Sequence, residues 1–218
     1  MNILHVSCSP RGQASESTRL SRKIVACLLD ARPGGTVRER IIGGPAGLPP
    51  IDDDYATSQQ ASEDVSREGS AARSEALIEE LASADALVIA TPMHNFTVPA
   101  ALKLWIDHVA RVRKTFNVGP DGKAGMLRDR PVFVAVSSGG RFAGEHARQP
   151  DFLTPYLKTI LGMLGLHDLT FFAVQGTAFG PEAVAEARSM ADRAVQDHFS
   201  SFPPREGDTP PRWAAAFS

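Results

Sequence analysis

Five short apolar runs alternate with longer amphipathic segments along this chain of 218 residues. We predict strands at Ile3–Ser7, Val37–Ile42, Ala86–Ala90, Val132–Val136 and Leu169–Val174. The helical spacing of apolar residues predicts helices at Thr18–Leu29, Ser70–Ala82, Ala100–Arg113, Phe152–Leu164 and Pro181–Phe202. Strict alternation of strands and helices indicates an α/β protein with a parallel sheet covered on both faces. We therefore expect a flavodoxin-like, doubly wound sheet of five strands in the order 2-1-3-4-5.

The composition is that of one ordinary soluble domain. Hydrophobic residues make up 43% and charged residues 22%, and the net charge of −2 does not favour nucleic acid. The chain has no basic-then-apolar leader and no apolar run long enough to span a bilayer. Only two cysteines occur, which argues against a disulfide framework and for a reducing compartment. We expect a cytosolic protein with a single domain over residues 1–202.

Two segments lie outside the alternating pattern. Gly43–Ser66 is rich in Gly, Pro, Asp and Ser, and its length is typical of a functional cover or a disordered loop. Within it, we interpret the run Asp52–Asp54 as a solvated turn rather than a metal site. Residues 203–218 contain four prolines and predict a mobile extension, which Trp213 or Phe217 could attach to the domain or to a partner subunit.

The turn after the third predicted strand has an unusual composition. Two prolines, an asparagine and apolar Met and Phe occur where a plain connection needs only Gly, Ser or Asp. The turn reads Thr91-Pro92-Met93-His94-Asn95-Phe96-Thr97-Val98-Pro99. In doubly wound sheets, ligands bind at the carboxyl ends of strands. Backbone N–H groups and flat apolar side chains suit a heteroaromatic ring with polar edges, which predicts a flavin.

Hydroxyl side chains gather in the first turn, where strand 1 leads into helix 1. They are Ser7, Ser9, Ser15, Ser17 and Thr18. A helix N-terminus presents unpaired N–H groups and the positive end of a dipole, which together favour a phosphate. A helix cap would account for only one hydroxyl. Five of them predict a phosphate site, to which Arg11 or Arg19 could add charge.

The fourth turn, Ser137-Ser138-Gly139-Gly140-Arg141, carries two glycines that let the backbone approach a ligand closely. Together with the first and third turns, it would line one edge of the sheet. Three adjoining turns can hold a phosphate, a linker and a ring. No G-x-G-x-x-G follows strand 1 and no P-loop motif occurs, which argues against a resident nicotinamide dinucleotide and against a P-loop nucleotidase.

Cys8 suggests a different chemistry. Low-molecular-weight tyrosine phosphatases also place a cysteine after strand 1 of a similar fold, with an arginine six positions later. Here that position is Ala14, and the nearest arginine, Arg11, comes too early. We therefore interpret Cys8 as a small apolar filler. A phosphatase-like hydrolase that uses Cys8 stays open as an alternative function.

Several segments, taken in order, are similar to one known family. They include Pro92–Phe96, Asp107–Arg111 with Thr115-Phe116, Ser137–Gly140, Thr154–Leu157 and Phe179–Glu182. From about residue 2 to residue 200, the chain resembles the FMN-dependent NADH:quinone oxidoreductase/azoreductase family. The tail after about residue 202 is not covered by this resemblance.

The resemblance implies one FMN per subunit. Its residues would be Ser9, Ser15, Glu16, Ser17, Met93, His94, Asn95, Phe96, Ser137, Ser138, Gly139 and Gly140. The first four match positions for the phosphate and ribityl chain, and the next four match the turn along the isoalloxazine. The last four match the loop at the other side of the ring. No side chain is expected to be catalytic, because FMN supplies the hydride chemistry.

The resemblance also implies a homodimer with flavin sites near the interface. NADH or NADPH would reduce FMN and leave, and a quinone or azo compound would then take two electrons in a ping-pong mechanism. A flavin carrier without turnover is a further alternative. The other histidines lack paired ligand spacing, so we predict no metal; they are His5, His108, His146, His167 and His198.

His94 stands where many relatives have tyrosine, which predicts a polar or titratable contact with the ring, and a solvent-facing turn histidine stays open as the alternative. Two further positions concern the substrate pocket. Phe116 matches a pocket aromatic of the family, with core packing as the alternative. Arg141 could face the substrate mouth or a nicotinamide phosphate.

Overall fold

The computed structural model describes residues 1–61 and 68–200. The strands in this part are β1 (Asn2–Ser7), β2 (Thr36–Ile41), β3 (Ala86–Pro92), β4 (Phe116–Gly119), β5 (Gly122–Gly125), β6 (Val132–Ser138) and β7 (Leu169–Gln175). The main sheet is parallel and has the order β2-β1-β3-β6-β7, while β4 and β5 form a separate antiparallel hairpin. The predicted flavodoxin-like order 2-1-3-4-5 is therefore confirmed, with a hairpin inserted between the third and fourth sheet strands.

Helices cover both faces of this sheet. They are α1 (Glu16–Ala31), α2 (Asp53–Gln60), α3 (Gly69–Ser83), α4 (Ala100–Val109), α5 (Leu153–Met163) and α6 (Pro181–Ser200). Alternate residues of each strand point to opposite faces, so the central strands contribute to two cores. Leu87 and Ile89 pack in the core that contains residues of α3, α4 and α5, whereas Val88 packs with residues of α1 and α6. Covering on both faces explains why β1, β3 and β6 read as nearly continuous apolar runs.

Helix α2 lies inside the segment that sequence analysis left without regular structure. Asp52 accepts a hydrogen bond from the N–H of Tyr55 (2.9 Å) and caps the helix. Asp52–Asp54 are exposed, as expected, but the expected turn was wrong. Two of these carboxylates lie in a first helical turn, where the dipole favours them. The buried Tyr55 hydroxyl donates to the carbonyls of Asp107 (3.1 Å) and His108 (3.2 Å), which attaches α2 to the end of α4.

Helix α4 ends at Val109, four residues earlier than predicted. Beyond this end, side-chain hydroxyls from outside the helix bond its last carbonyls. The Thr115 hydroxyl donates to the carbonyl of Val109 (2.7 Å), and the Ser74 hydroxyl donates to that of His108 (2.6 Å). The chain then turns through Arg113, which has a left-handed φ of 67°.

The β4–β5 hairpin was also missed. Its residues are mostly polar or glycine, so a search for apolar runs passes over it, although Pro120-Asp121-Gly122 is a turn signal. Gly125 packs so closely on the chain after α5 that a Cβ there would overlap the backbone of Leu164 and Gly165. This contact holds the hairpin against the domain.

Three further predictions concern membrane spans, the cysteines and the segments that extend beyond the described residues. No helix in residues 1–61 and 68–200 is long and apolar enough to cross a membrane. Cys8 and Cys27 are both free thiols. The predicted tail at 203–218, with Trp213 and Phe217, lies outside the described residues, as does part of the predicted cover.

Gly43 lies against the first turn. A Cβ there would overlap the carbonyl oxygen of Ser9 and lie 2.8 Å from the carbonyl carbon of Cys8. Its φ of −86° is ordinary, so the need for glycine comes from this close approach rather than from backbone conformation.

We expect Gly43→Ala to lower the free energy of unfolding by about 1–3 kcal/mol, because the added methyl overpacks backbone that cannot move aside. Urea unfolding measures this effect. Gly47→Ala is the control, because its φ is −58° and its nearest atom would be 3.2 Å away. That change should stay within about 1 kcal/mol of the parent. Equal losses in both variants would contradict the close-approach explanation.

His108 lies buried where the segment before α2 meets α4. Its Nε2 donates to the carbonyl of Pro49 (3.1 Å), so the neutral ring leaves Nδ1 unprotonated. Among the described residues, that Nδ1 has no hydrogen-bond partner. Burial lowers the pKa of His108 below its ordinary value, and the bond to Pro49 opposes the shift.

A folded-state pKa below the unfolded value means that the unfolded chain binds more protons as the pH falls below about 6.5. Stability is then present above that pH and is lost below it. We expect urea midpoints to fall more steeply between pH 7.5 and 5.5 in the parent than in His108→Gln, which keeps a donor for Pro49. Parallel pH profiles would show that His108 does not carry the dependence.

Candidate functional site

The carboxyl ends of β1, β3 and β6 open into one cleft. Eight of the twelve predicted cofactor residues line it: Ser9, Ser15, Glu16, Met93, His94, Ser137, Ser138 and Gly139. The register explains this meeting, because Ser7 of β1 pairs with Ala90 of β3, and Pro92 of β3 pairs with Ser137 of β6. The remaining four predicted residues, Ser17, Asn95, Phe96 and Gly140, belong to the same three turns.

The first turn places two serine hydroxyls at the start of α1. Ser15 occupies the N-cap position but makes no side-chain cap. Its Oγ instead lies 2.9 Å from the Oγ of Ser17, and both residues are buried. Capping therefore does not account for these hydroxyls. The positive end of the helix dipole remains available to an anion.

Ser9 and Arg11 form the opposite side of this turn. The N–H of Arg11 donates to Ser9 Oγ (3.2 Å), and the N–H of Gly12 donates to the Ser9 carbonyl (3.1 Å). Gly12 has a φ of 52°, which closes the turn tightly. The Arg11 side chain lines the cleft and is exposed, so it supplies positive charge there.

Glu16 brings a carboxylate to the same place, but two arginines neutralise it. Arg188 of α6 and Arg19 both donate to it, at 2.9 Å and 3.0 Å, and the bond from Arg188 holds the pKa of Glu16 below its usual range. Arg19 also pairs with Asp192 (2.9 Å). Arg19 is therefore engaged with carboxylates, and of the two arginines considered for the phosphate, Arg11 is the one lining the cleft.

The third turn is strained. His94 and Thr97 exchange two backbone hydrogen bonds of 3.0 Å across a two-residue loop. Asn95 and Phe96 both have positive φ, at 48° and 70°. Asparagine tolerates this conformation, whereas phenylalanine seldom adopts it. Phe96 is 43% exposed at the end of the turn, and strained backbone of this kind is common at ligand sites.

Gln149 joins the third and fourth turns. Its Nε2 lies 3.2 Å from the sulfur of Met93 and 3.1 Å from Ser138 Oγ, and the Met93 N–H donates to the Ser137 carbonyl (2.8 Å). A Cβ at Gly140 would collide with the Gln149 amide, so that glycine accommodates a side chain of the protein itself. Sequence reasoning missed Gln149, because a lone glutamine in a loop carries no signal.

The chain after β7 supports the fourth turn from behind. The N–H groups of Gly176, Thr177 and Ala178 donate to the carbonyls of residues 140, 138 and 139, at 3.1, 3.1 and 3.2 Å. Thr177 also lines the cleft. Its position after the last sheet strand, at the same sheet edge, was the signal that could have identified it.

The two predicted substrate-pocket residues lie elsewhere. Phe116 is 8% exposed and packs in the core, with the Lys123 ammonium 5.2 Å from its ring centroid. Arg141 lines a neighbouring cavity, and its guanidinium lies 5.6 Å from the ring centroid of Phe179. Neither side chain is part of the cleft wall.

Cys8 is fully buried in the core at the end of β1. Burial raises the pKa of its thiol far above the ordinary value, although a hydrogen bond with Thr91 acts in the opposite direction. The thiolate is the nucleophilic form of cysteine, so this thiol is unsuited to attack a phosphate ester.

Known proteins are similar to this chain in sequence and in fold. A family model described as a flavodoxin-like fold matches residues 1–199. FMN-dependent NADH:quinone oxidoreductase 4 of Pseudomonas fluorescens is 52% identical over 192 residues, covering 86% of this chain and 92% of that protein. The chain belongs to this family of flavodoxin-like oxidoreductases. FMN-dependent NADH:quinone oxidoreductase 5 of Burkholderia lata, another similar member, is 47% identical over 189 residues, covering 87% and 92%.

Solved structures are similar in fold. An azoreductase of Bacillus anthracis aligns with a TM-score of 0.78 over 91% of this chain and 98% of that one, at 22% identity. An FMN-dependent NADH-azoreductase of the same species, solved in complex with FMN, aligns with a TM-score of 0.73 over 91% and 100%, at 23% identity.

Proposed function

We propose that this family member binds FMN in the cleft and reduces quinones by two electrons with NADH as donor. The observation that carries the proposal is the meeting of three turns, at the ends of β1, β3 and β6, in one cleft. Family membership supports the cofactor and the reaction, since both relatives above are named FMN-dependent NADH:quinone oxidoreductases.

The first turn fits the phosphate of FMN. The uncapped N-terminus of α1 offers backbone N–H groups, and the bonded pair of hydroxyls of Ser15 and Ser17 has one O–H left to donate. Arg11 supplies positive charge, while Glu16 is neutralised by its arginine partners and repels an anion less. Ser9 completes this side of the cleft.

The third and fourth turns fit the flavin ring. In the His94–Thr97 turn, the backbone of Asn95 and Phe96 is left-handed, and Phe96 is exposed. Ser137–Gly140 is fixed by the backbone after β7 and by the amide of Gln149. Fixed backbone on two sides orients a planar ring without further loss of conformational entropy.

The protein's part in the reaction is binding and orientation. FMN supplies the redox chemistry when bound, and the chain supplies a rigid cradle with a cation at one end. We further propose that donor and acceptor use the same cleft in turn, as in a ping-pong mechanism, and that the protein is a homodimer. Azo compounds are proposed as additional acceptors, in keeping with the azoreductase neighbours in fold.

Mixing the purified protein with equimolar FMN and adding NADH under nitrogen tests the function. We expect bound-flavin absorbance that bleaches with NADH and returns with a quinone such as menadione. Failure to bind FMN would overturn the proposal, and phosphate-ester hydrolysis lost in Cys8→Ala would instead favour the hydrolase. Flavin that binds but passes no electrons from NADH to any quinone would indicate a carrier.

We expect Ser17→Ala to raise the Kd for FMN about 10-fold, because a hydrogen bond to a charged group contributes about 1.5–3 kcal/mol. Fluorescence titration of FMN measures this change. Ser83→Ala is the matched control, since that hydroxyl only bonds the Glu80 carbonyl of its own helix (3.1 Å). Equal affinity in Ser17→Ala and the parent would remove Ser17 from the phosphate site.

A further inference from the structure

A second cavity lies behind the fourth turn, between the loop 141–146, β7 and α6. Its volume of about 540 Å³ is that of a small-molecule site. The cavity and the cleft are close neighbours, because Gly139 lines the cleft and Arg141 lines the cavity. Two residues of chain span at most about 7.6 Å between Cα atoms, so the cleft and the cavity lie within the length of one extended dinucleotide.

Arg141 is the arginine that lines this cavity, beside the carboxylates of Glu145 and Glu186. Its guanidinium is half-buried and packs on the Phe179 ring (5.6 Å). Within residues 1–61 and 68–200, no carboxylate forms an ion pair with it, whereas Arg19 and Arg188 on the neighbouring helices are paired. A partly buried guanidinium that is not ion-paired favours an anionic ligand, and guanidinium suits phosphate in particular.

The rest of the wall has an apolar part and an acidic part. Small or flexible apolar side chains, Ala173, Ala187 and Met190, form one side, and Met190 is 67% exposed. These surfaces suit a flat aromatic group. The carboxylates of Glu145 and Glu186 line the other side, where they can accept hydrogen bonds from hydroxyl groups.

We propose that this cavity holds the adenosine diphosphate half of NADH while the nicotinamide lies in the cleft. Arg141 binds the pyrophosphate, the apolar side receives the adenine, and the two glutamates accept from ribose hydroxyls. Carboxylates near the ribose disfavour a 2′-phosphate, so the same wall selects NADH over NADPH. This inference rests on the proposed function, because it assigns the donor of that reaction to a subsite.

The test compares Arg141→Gln with the parent in anaerobic stopped-flow reduction of the FMN-loaded protein. The donors are NADH and 1-benzyl-1,4-dihydronicotinamide, which lacks the adenosine diphosphate half. We expect the apparent Kd for NADH to rise about 10-fold, as for loss of a charge-assisted hydrogen bond. The constant for the truncated donor should stay unchanged. An equal rise in the apparent Kd of both donors, or no rise for either, would overturn the assignment.

Arg148→Gln is the matched control. It lies on the same chain segment and is exposed, and its guanidinium donates to the carbonyls of Glu145 (3.5 Å) and Ala147 (2.8 Å) without lining the cavity. This substitution should leave the apparent Kd of both donors unchanged. Glu186→Gln should narrow the preference for NADH over NADPH, and an unaltered ratio would remove that carboxylate from the ribose site.

Calorimetric titration of ADP-ribose into the FMN-loaded protein separates this inference from the proposed function. We expect binding that weakens about 10-fold in Arg141→Gln. Absence of binding to the parent overturns the subsite even if NADH bleaches the flavin. Arg141-dependent binding supports the subsite even if NADH reduction fails.

A sulfonated azo dye carries the same chemistry, an aromatic ring with an anion. A raised KM for that dye in Arg141→Gln, with ADP-ribose binding unchanged, would assign the cavity to the acceptor and overturn the inference.

Discussion

The parallel pairing of β1 with β3 is the interaction on which the site depends. These strands are adjacent in the sheet although α1, β2, α2 and α3 separate them in the chain. Their ladder ends with the Cys8 N–H donating to the Ala90 carbonyl (2.9 Å), which places the first and third turns side by side. Both faces of the ladder are buried, so a shift in register would expose apolar side chains and is disfavoured. The position of the cleft therefore follows from core packing.

Close approaches and strain fix the turns at this edge. Gly43 lets one segment lie directly on the backbone of the first turn, and Gly140 lets Gln149 lie on the fourth. Asn95 and Phe96 carry the unfavourable φ values of the third. Each feature is locally unfavourable, and the stability of the surrounding sheet offsets that cost. The three turns therefore form a preorganised binding cleft.

Sequence reasoning identified the features that repeat or that have local chemical meaning. Apolar periodicity predicted the five sheet strands and the helices between them, and the hydroxyl-rich and glycine-rich turns predicted the candidate site. It missed α2 and the β4–β5 hairpin, because neither has a strong apolar period and both are stabilised by contacts with distant residues. Tyr55, for example, bonds carbonyls more than 50 positions away in the chain.

The sequence by itself determined the fold and the three turns, since burial on both faces of a parallel sheet requires the pattern that the strands show. Family membership follows from the same local motifs. Tertiary structure alone decided which ion pairs and which side-chain amide hydrogen bonds form. It engaged Arg19 and Arg188 with Glu16 and placed Gln149 across two turns. Among the described residues, it also left Arg141 without an ion-pair partner beside a second cavity. These arrangements depend on which distant side chains meet, and no local pattern in the chain encodes such meetings.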